Sequence, residues 1–546
     1  MSSEEDKITS SLVNLDICMT AQESTVDRNS IPADEHANQN KTYRNQPSRP
    51  KGNEETEDGG INSGIGLDEP VSDDDDDHER YIVDDDESVH LALNLKRHDW
   101  EPLRQIPDDK FKDIVLLSVD PSGQLERANV EILSRYEGEM NLVVTLQVRH
   151  KDQGDQDYVV SVPSVGTQPR WRAGDAHNLR NEVGLMKYLF QHTDVPAPEV
   201  IASAESVEGS NLGAPYILMK RLPGRRAHEI WFEDASDMSH ITAVRISKET
   251  EVKRVNLLRS LANAMAGLQK VEFKGIGIPA FTDGGSSETP RVSYLSQWKD
   301  ESDLTHEDLE SDTQVYQYGP FASSIEYLTP NFRTIWPPLD SEVLDTLYPG
   351  TCDRLRALGY RKVLEIIFSQ PVIRNSKASN AEANEEETFV LGNDLYLHNI
   401  LVDDDGNVTG ILDWSVFASP RFVGYASLPI FLRRDWHTCF TLHDYPCMGY
   451  QLDHYRQIYT KAMEETGCAE ARFTAKSGMY HAIVEVLTSS MSAPELIKKI
   501  MLEIPELRRT DLNEFNMLLG RDDWPEAEEW LAGKIGELLD SKPLSR

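Results

Sequence analysis

The segment from Val390 to Trp414 constrains the fold of this chain more than any other part of the sequence. Two apolar runs flank the turn Asp403–Asn407, which contains an Asp-Gly pair. Such a pair between apolar runs predicts a β-hairpin. Asp394 and Asn399 come just before the first strand and Asp413 follows the second, so the hairpin should bring three oxygen-bearing side chains to one end.

This arrangement suits phosphoryl transfer. An aspartate accepts the proton of the attacking hydroxyl, while an asparagine amide oxygen and a second aspartate hold the Mg²⁺ that bridges the nucleotide phosphates. The spacing from Asp394 to Asn399 equals that of the protein-kinase catalytic loop, and Asp413 follows where the metal-binding aspartate is expected. The alternative interpretation is that Asp394 and Asn399 only cap turns.

The region before this segment predicts a small sheet and a helix. The runs 142–148 and 158–162 are rich in β-branched residues and predict a second hairpin, and 216–219 predicts a buried strand. Asp175 is placed to cap a helix that ends before Val195-Pro196. The apolar stripe of that helix comprises Leu179, Val183, Met186 and Phe190.

Beyond Gly224 the pattern becomes mainly helical. One stripe comprises Val252, Val255, Leu258, Leu261, Ala262, Met265 and Leu268, and a second comprises Leu355, Leu358, Val363, Ile366 and Ile367. Apolar residues again recur at helical spacing from about Tyr450 to the end. Residues 282–290 and the Ser/Asn/Glu-rich insertion 374–387 predict loops, the second of them disordered.

The acidic charge is concentrated at the start of the chain. The formal charge is −38, and residues 1–90 hold 24 acidic against 7 basic residues, which leaves −21 for the remainder. We expect 1–90 to be a disordered acidic tail, either a solubilising extension or an element that recruits a protein partner. A histone chaperone acting through the tail is a third, weaker alternative. The excess of acidic over basic residues argues against nucleic-acid or anionic-membrane partners.

No apolar run approaches the roughly 18 residues that span a bilayer, and the first residues lack the features of a secretory signal. We therefore expect a cytoplasmic protein. The five cysteines are scattered and lack metal-ligand spacing, which predicts ordinary reduced thiols.

The sequence resembles the aminoglycoside phosphotransferase family of the protein-kinase-like superfamily, especially its fungal branch. The resemblance extends from about residue 129 to 431 and is strongest in GNDLYLHNILVDDDGNVTGILDW, in TDVPAPEV and in PYILMKRLPG. It implies an α+β, two-lobed protein-kinase-like fold. An antiparallel-sheet lobe would span 104–222, and a mainly helical lobe would span 223–546.

The resemblance also implies roles for individual residues. Asp394 would be the catalytic aspartate, with Asn399 and Asp413 as the ligands of Mg²⁺. ATP would bind under a loop at 136–141, against a hinge and beside a helix glutamate. The residues implied there are Gly138, Asn141, Glu182, Lys220, Arg221 and Leu222.

Two single positions and one loop depart from the family pattern. Ser161 stands where the third strand has a phosphate-gripping basic residue, and Gly392 replaces a histidine. The nucleotide loop keeps one glycine and adds Glu137 and Glu139, which would repel phosphate. Substitute cations could come from Arg149, Lys151, Arg170 or Arg172.

Two functions therefore remain open from the sequence. The first is ATP- and Mg²⁺-dependent phosphorylation of a hydroxyl on an unidentified small molecule, with 290–345 and 430–500 building the acceptor site. Acidic side chains within 301–308 would there attract a cationic acceptor. The second is a pseudokinase used as a binding or scaffold module, which Ser161 favours.

Overall fold

The structure is a computed structural model that describes residues 98–138, 140–150, 154–232, 247–281, 291–298, 315–336, 350–374, 387–436, 448–486, 493–521 and 523–540. The predicted acidic tail, the predicted loop 282–290, nearly all of the predicted insertion 374–387 and the acidic segment 301–308 lie outside the described residues.

Five strands form one antiparallel sheet in the order β1-β2-β3-β5-β4. They are β1 (Val130–Glu137), β2 (Asn141–His150), β3 (Gly154–Pro163), β4 (Val200–Ala204) and β5 (Tyr216–Lys220). The predicted hairpin is confirmed as β2 and β3, in which Val143 lies opposite Ser161. The predicted strand at 216–219 is confirmed as β5.

Two helices before the sheet, α1 (Trp100–Arg104) and α2 (Asp108–Val119), were not predicted. Helix α2 packs Phe111, Ile114 and Val115 into one core with the alternate residues of β2 and β3. The sequence did contain a helix-start signal for α2, because Pro107 precedes the first turn and two aspartates lie in that turn. This helix covers the outer face of the sheet.

Helix α3 (Ala173–His192) packs on the opposite face of the sheet, toward the helical lobe. The helix begins at Ala173 and its N-cap is Arg172, so the prediction of Asp175 as the cap residue is wrong. Asp175 lies in the first turn, where its carboxylate accepts the backbone N–H of Arg172 at 3.0 Å. Three residues of the predicted stripe are buried, but the prediction for Phe190 is wrong, since it is 47% exposed. Leu189 instead fills the core in that last turn.

The second lobe is mainly helical, as predicted. Its helices are α4 (Ala227–Trp231), α5 (Lys248–Ala266), α6 (Ser324–Ile335), α7 (Thr351–Ser369), α8 (Pro371–Arg374), α9 (Met448–Glu465), α10 (Ala471–Thr474), α11 (Ser477–Glu485), α12 (Ala493–Leu502), α13 (Leu512–Leu519) and α14 (Pro525–Leu539).

Both predicted helical stripes lie on these elements, the first on α5 and the second on α7. The stripe on α5 is buried from Leu258 onward, whereas Val252 is 59% exposed and that part of the prediction is wrong. Val252 lies in the first turns of α5, where Thr250 and Arg254 are the buried residues. The buried face of α5 is therefore rotated away from Val252 at this end.

Short strands complete the second lobe. They are β6 (Arg225–Arg226), β7 (Glu272–Phe273), β8 (Ile278–Ala280), β9 (Arg291–Ser293), β10 (Leu295–Trp298), β11 (Val315–Tyr318), β12 (Phe389–Leu391), β13 (Ile400–Val402), β14 (Val408–Ile411) and β15 (Ala418–Ser419). Strands β6, β13 and β14 form one small sheet, and β7, β12 and β15 form another.

The predicted hairpin of the 390–414 segment is confirmed as β13 and β14. Its turn is fixed to helix α5, because Asn256 donates to the Asp405 C=O at 2.9 Å and Ser260 accepts the Val408 N–H at 3.0 Å. Gly406 has φ +86°, and a Cβ there would lie 2.4 Å from the Lys253 carbonyl oxygen. Only glycine fits this turn.

Candidate active site

Asp394, Asn399 and Asp413 lie around one end of the β13–β14 hairpin. The N–H of Leu412 donates to the C=O of Asn399 at 2.8 Å, which places Asp413 directly beside the Asn399 segment. The carboxylates of Asp394 and Asp413 are close enough for their charges to interact. The structure therefore gathers the three side chains that the sequence singled out.

Asp413 has a left-handed backbone with φ +58°, which no other non-glycine residue in the described part of the chain shares. Aspartate tolerates this region better than most residues, but the conformation still costs of order 1 kcal/mol. Its carboxylate makes a long contact of 3.4 Å with the Ser415 N–H. Such a conformation, held by the surrounding fold, aims the carboxylate in a direction that a strand residue would not reach.

Asn399 is buried at 8% exposure, and its side-chain amide makes no hydrogen bond with any described residue. No three His, Cys, Asp or Glu side chains form a metal-holding group within the described ranges. Mg²⁺ does not need one, because one or two protein oxygens usually bind it together with substrate phosphates and water. An unpaired amide beside Asp413 fits that pattern.

The loop that carries Asp394 is fixed by its neighbour. The Asn393 side-chain amide donates to the Ser427 C=O at 2.9 Å and to the Tyr425 C=O at 3.4 Å. Partial burial, and then the Asp413 charge, raise the pKa of Asp394, while Arg433 and His398 oppose that rise. Asp394 nevertheless remains open to solvent in the cleft. The carboxylate is thus made a better proton acceptor than an ordinary surface aspartate.

Glu182 lies on α3 and faces the same site. Burial, and then the nearby Asp413 charge, raise its pKa to about 8. No described lysine or arginine forms an ion pair with it. Val160 and Val162 pack into the outer core, so Ser161 points to the face that α3 covers and brings no charge. Glu182 is therefore mainly a neutral carboxylic acid near pH 7.

The predicted nucleotide loop is a tight turn between β1 and β2. The N–H of Gly138 donates to the C=O of Asn141 at 2.9 Å, and the N–H of Ser164 donates to the C=O of Met140 at 2.8 Å. Glu137 forms a two-pronged ion pair with Arg104, at 2.7 Å for both contacts. The expected repulsion of phosphate by Glu137 is offset by this arginine. Glu139 lies outside the described residues.

Two of the three backbone N–H groups in the predicted hinge already donate to carbonyl groups of the protein. The Lys220 N–H donates to the Glu199 C=O at 2.9 Å, and the Arg221 N–H donates to the Asp157 C=O at 3.0 Å. Among the described residues, no backbone carbonyl accepts the Leu222 N–H. Of the three hinge N–H groups, that of Leu222 is the one left for a ligand.

The described residues among the predicted substitute cations all have other partners. Arg149 pairs with Glu131 on the outer strands, and Arg170 and Arg172 make other contacts. Lys151 lies outside the described residues.

Two cleft arginines were missed. The Arg226 guanidinium lies 5.4 Å from the centre of the Tyr136 ring, beside the nucleotide loop. Arg433 lies near Asp394. Neither belongs to a motif, and only the fold brings them to the cleft.

The family of the chain follows from a direct match. Residues 144–417, half of the chain, match the model described as "Phosphotransferase enzyme family". The chain belongs to this family. The resemblance read from the sequence is thereby confirmed, and so is the protein-kinase-like fold of an antiparallel-sheet lobe followed by a mainly helical lobe.

A curated relative is the Clavilactone A biosynthesis cluster protein Y of Ampulloclitocybe clavipes, which is 23% identical over 265 residues. These residues are 48% of this chain and 55% of the relative, so the match spans about half of the relative's length.

Solved structures with some likeness include two kinases. An ethanolamine kinase of Plasmodium vivax is 10% identical with a TM-score of 0.32, covering 76% of this chain and 88% of its own. A choline kinase of Cryptosporidium parvum is 11% identical with a TM-score of 0.32, covering 79% and 98%. Within the described residues, no helix is both long enough and apolar enough to cross a bilayer.

Proposed function

We propose that the protein is a phosphotransferase that moves the γ-phosphoryl group of ATP, with Mg²⁺, to a hydroxyl of a small molecule. The observation that carries this proposal is the left-handed Asp413 beside Asp394 and Asn399. A protein that had lost its chemistry would have no reason to keep a strained aspartate next to an unpaired asparagine amide.

Each side chain then has one task. Asp394 accepts the hydroxyl proton as the acceptor oxygen bonds to phosphorus and the bond to the β-phosphate oxygen breaks, which releases ADP. Asn399 and Asp413 would hold the metal, which when bound offsets the charge of the phosphates. The N–H of Leu222 would receive the adenine ring, and the Gly138–Asn141 turn would cover the phosphates.

The missing strand lysine leaves Glu182 without its usual partner. In its neutral form Glu182 donates a hydrogen bond instead of repelling the phosphates. Arg226, whose guanidinium lies over the Tyr136 ring beside the nucleotide loop, would offset the missing charge.

The test compares ATP turnover by the wild type and Asp394→Asn, with water or an added alcohol as acceptor. A general base contributes about 100-fold or more, so ADP release should fall by at least that factor while Mg²⁺–ADP binding is unchanged. Equal turnover in the two proteins would contradict the role of Asp394.

The second candidate is a pseudokinase that acts as a binding module. Ser161 and the unpaired Glu182 favour it. Whether or not such a module binds nucleotide, it would show no ATP turnover that depends on Asp394.

The cellular location and the partners of the protein are also proposals. We infer a cytoplasmic enzyme without nucleic-acid or membrane partners, in keeping with the net charge of −38. The acidic segment 1–90 is proposed to recruit a protein partner. Deleting it should leave the melting temperature nearly unchanged, and a fall of several degrees would contradict a separate tail.

A further inference from the structure

Arg433 lies near Asp394 in the folded chain. The charges of Asp413 and Arg433 both act on Asp394, and they shift its pKa in opposite directions. The charged or polar groups that act on Arg433 are Tyr396, Asp394 and Glu485, and neither Asp413 nor Glu182 is among them. Arg433 therefore interacts with the proposed catalytic Asp394, and not with Asp413 or Glu182.

The backbone of Arg433 is held firmly. Its N–H donates to the Ile430 C=O at 2.9 Å, and its C=O accepts the Trp436 N–H at 2.9 Å. The preceding carbonyl, of Leu432, accepts from Arg456 at 2.7 Å. Trp436 packs so closely on Gly478 of α11 that a Cβ there would lie 2.6 Å from the indole ring. The backbone position of Arg433 is thus set by the fold.

The guanidinium itself has no partner among the described residues. Its Nε is enclosed without a hydrogen-bond acceptor, and no described carboxylate lies within ion-pair distance of it. Burial lowers its pKa to about 10, so it still carries its charge near pH 7. Enclosing an unpaired guanidinium is costly, and native proteins seldom do so without a ligand, an ion or water to complete it.

A second polar atom without a partner lies near it, and this atom is a donor in the tautomer that carries the proton on Nε2. The Nε2 atom of His481, on α11, is enclosed without a hydrogen-bond partner in the described part of the chain. Burial and then the Arg433 charge hold the pKa of His481 well below its usual range, so the ring is neutral. A neutral imidazole and a guanidinium together offer donors to one anionic oxygen group.

Resting on the proposed phosphotransfer, we propose that Arg433 binds an anionic group, a carboxylate or a phosphate, on the same acceptor whose hydroxyl Asp394 activates. The acceptor is then a hydroxy acid or a phosphorylated alcohol. The sequence had suggested a cationic acceptor from the acidic segment 301–308, which lies outside the described residues. The side chains beside Asp394 favour the opposite charge.

The test uses three small alcohols that differ in charge: glycolate, ethylene glycol and ethanolamine. Binding to the full chain is measured by NMR titration with Mg²⁺–ADP present, and nucleotide binding is measured separately by calorimetry. Glycolate should bind at least about tenfold more tightly than the other two, as expected for one charge-assisted contact. Glycerol phosphate, added as a fourth probe, decides between carboxylate and phosphate as the preferred group.

Arg433→Met should abolish the preference for glycolate, and Arg433→Lys should keep part of it. Arg434→Met serves as the neighbouring control and should change nothing. Nucleotide affinity should be equal in all variants, which separates this inference from the proposed nucleotide site. The inference is overturned if neither glycolate nor glycerol phosphate binds more tightly than ethanolamine and ethylene glycol. It is also overturned if Arg433→Met weakens nucleotide binding instead.

Discussion

Replacing Glu182 by glutamine should stabilise the protein, and the gain should depend on pH. The structure encloses this carboxyl near Asp413 without a cation, and its pKa is raised from 4.5 to about 8. Between these two values the folded state binds a proton that the unfolded state has released. Stability therefore falls as the pH rises through this window and levels off above about pH 8.

The size of the effect follows from the shift. At pH 7 the unfolded carboxyl is ionised, and holding it protonated in the fold costs about 1.4 kcal/mol for each pH unit above 4.5. Glutamine keeps the shape of the side chain and removes this cost. Glu182→Gln should then gain up to about 3 kcal/mol at pH 7 and almost nothing below pH 4.5.

The assay is urea denaturation of both proteins at about pH 5, 7 and 9, at equal ionic strength. Glu464→Gln, on an exposed position of α9, serves as the control and should shift the midpoint by no more than a surface substitution does. A stability difference that stays constant from pH 5 to pH 9 would refute the reasoning. So would a loss of stability at pH 9, because it would mean that an ionised Glu182 has a cationic partner.

Three further predictions concern the site and the core. Asp413→Val should be less stable than Asp413→Gly by about 1–2 kcal/mol, because valine resists a φ of +58°, while both lose Mg²⁺-dependent nucleotide binding. Arg421→Met should cost about 3–5 kcal/mol, because it leaves the buried Glu470 carboxylate without its ion pair. Gly359→Ala should destabilise strongly, since its Cβ would meet a backbone carbonyl of α13, whereas Gly533→Ala, with open space, should gain up to about 1 kcal/mol.

Each of these is checked by urea midpoints, with calorimetry added for Asp413. Equal stability of the Val and Gly variants at position 413 would contradict the strained backbone. Arg127→Met, which breaks an exposed ion pair, is the control for Arg421 and should cost less than about 1 kcal/mol. Similar losses from both arginines, or from both glycines, would contradict the packing described.

The sequence predicted those parts of the fold whose signals are local. The hairpins at 142–162 and 400–411 follow from alternating apolar residues and from turn chemistry that leaves little choice of register. The exposure of Phe190 and Val252 was predicted wrongly, because periodicity gives the direction of a helix face but not where the neighbouring core ends.

The sequence predicted which residues form the site, but not their backbone conformation or the side chains around them. Asp394, Asn399 and Asp413 lie within one short segment, so their proximity could be read from the chain. The left-handed backbone of Asp413 is imposed by tertiary packing. Arg433 is distant in sequence from Asp394 and shares no motif with it, so only the fold reveals that the two are near each other.

The most direct test of the central claim is calorimetric titration of the full chain with ATP, with and without Mg²⁺. Phosphotransfer through Asn399 and Asp413 predicts saturable binding that strengthens with Mg²⁺ and loses that dependence in Asp413→Ala. Absence of binding at millimolar ATP, or binding that is indifferent to both Mg²⁺ and the substitution, would contradict the claim.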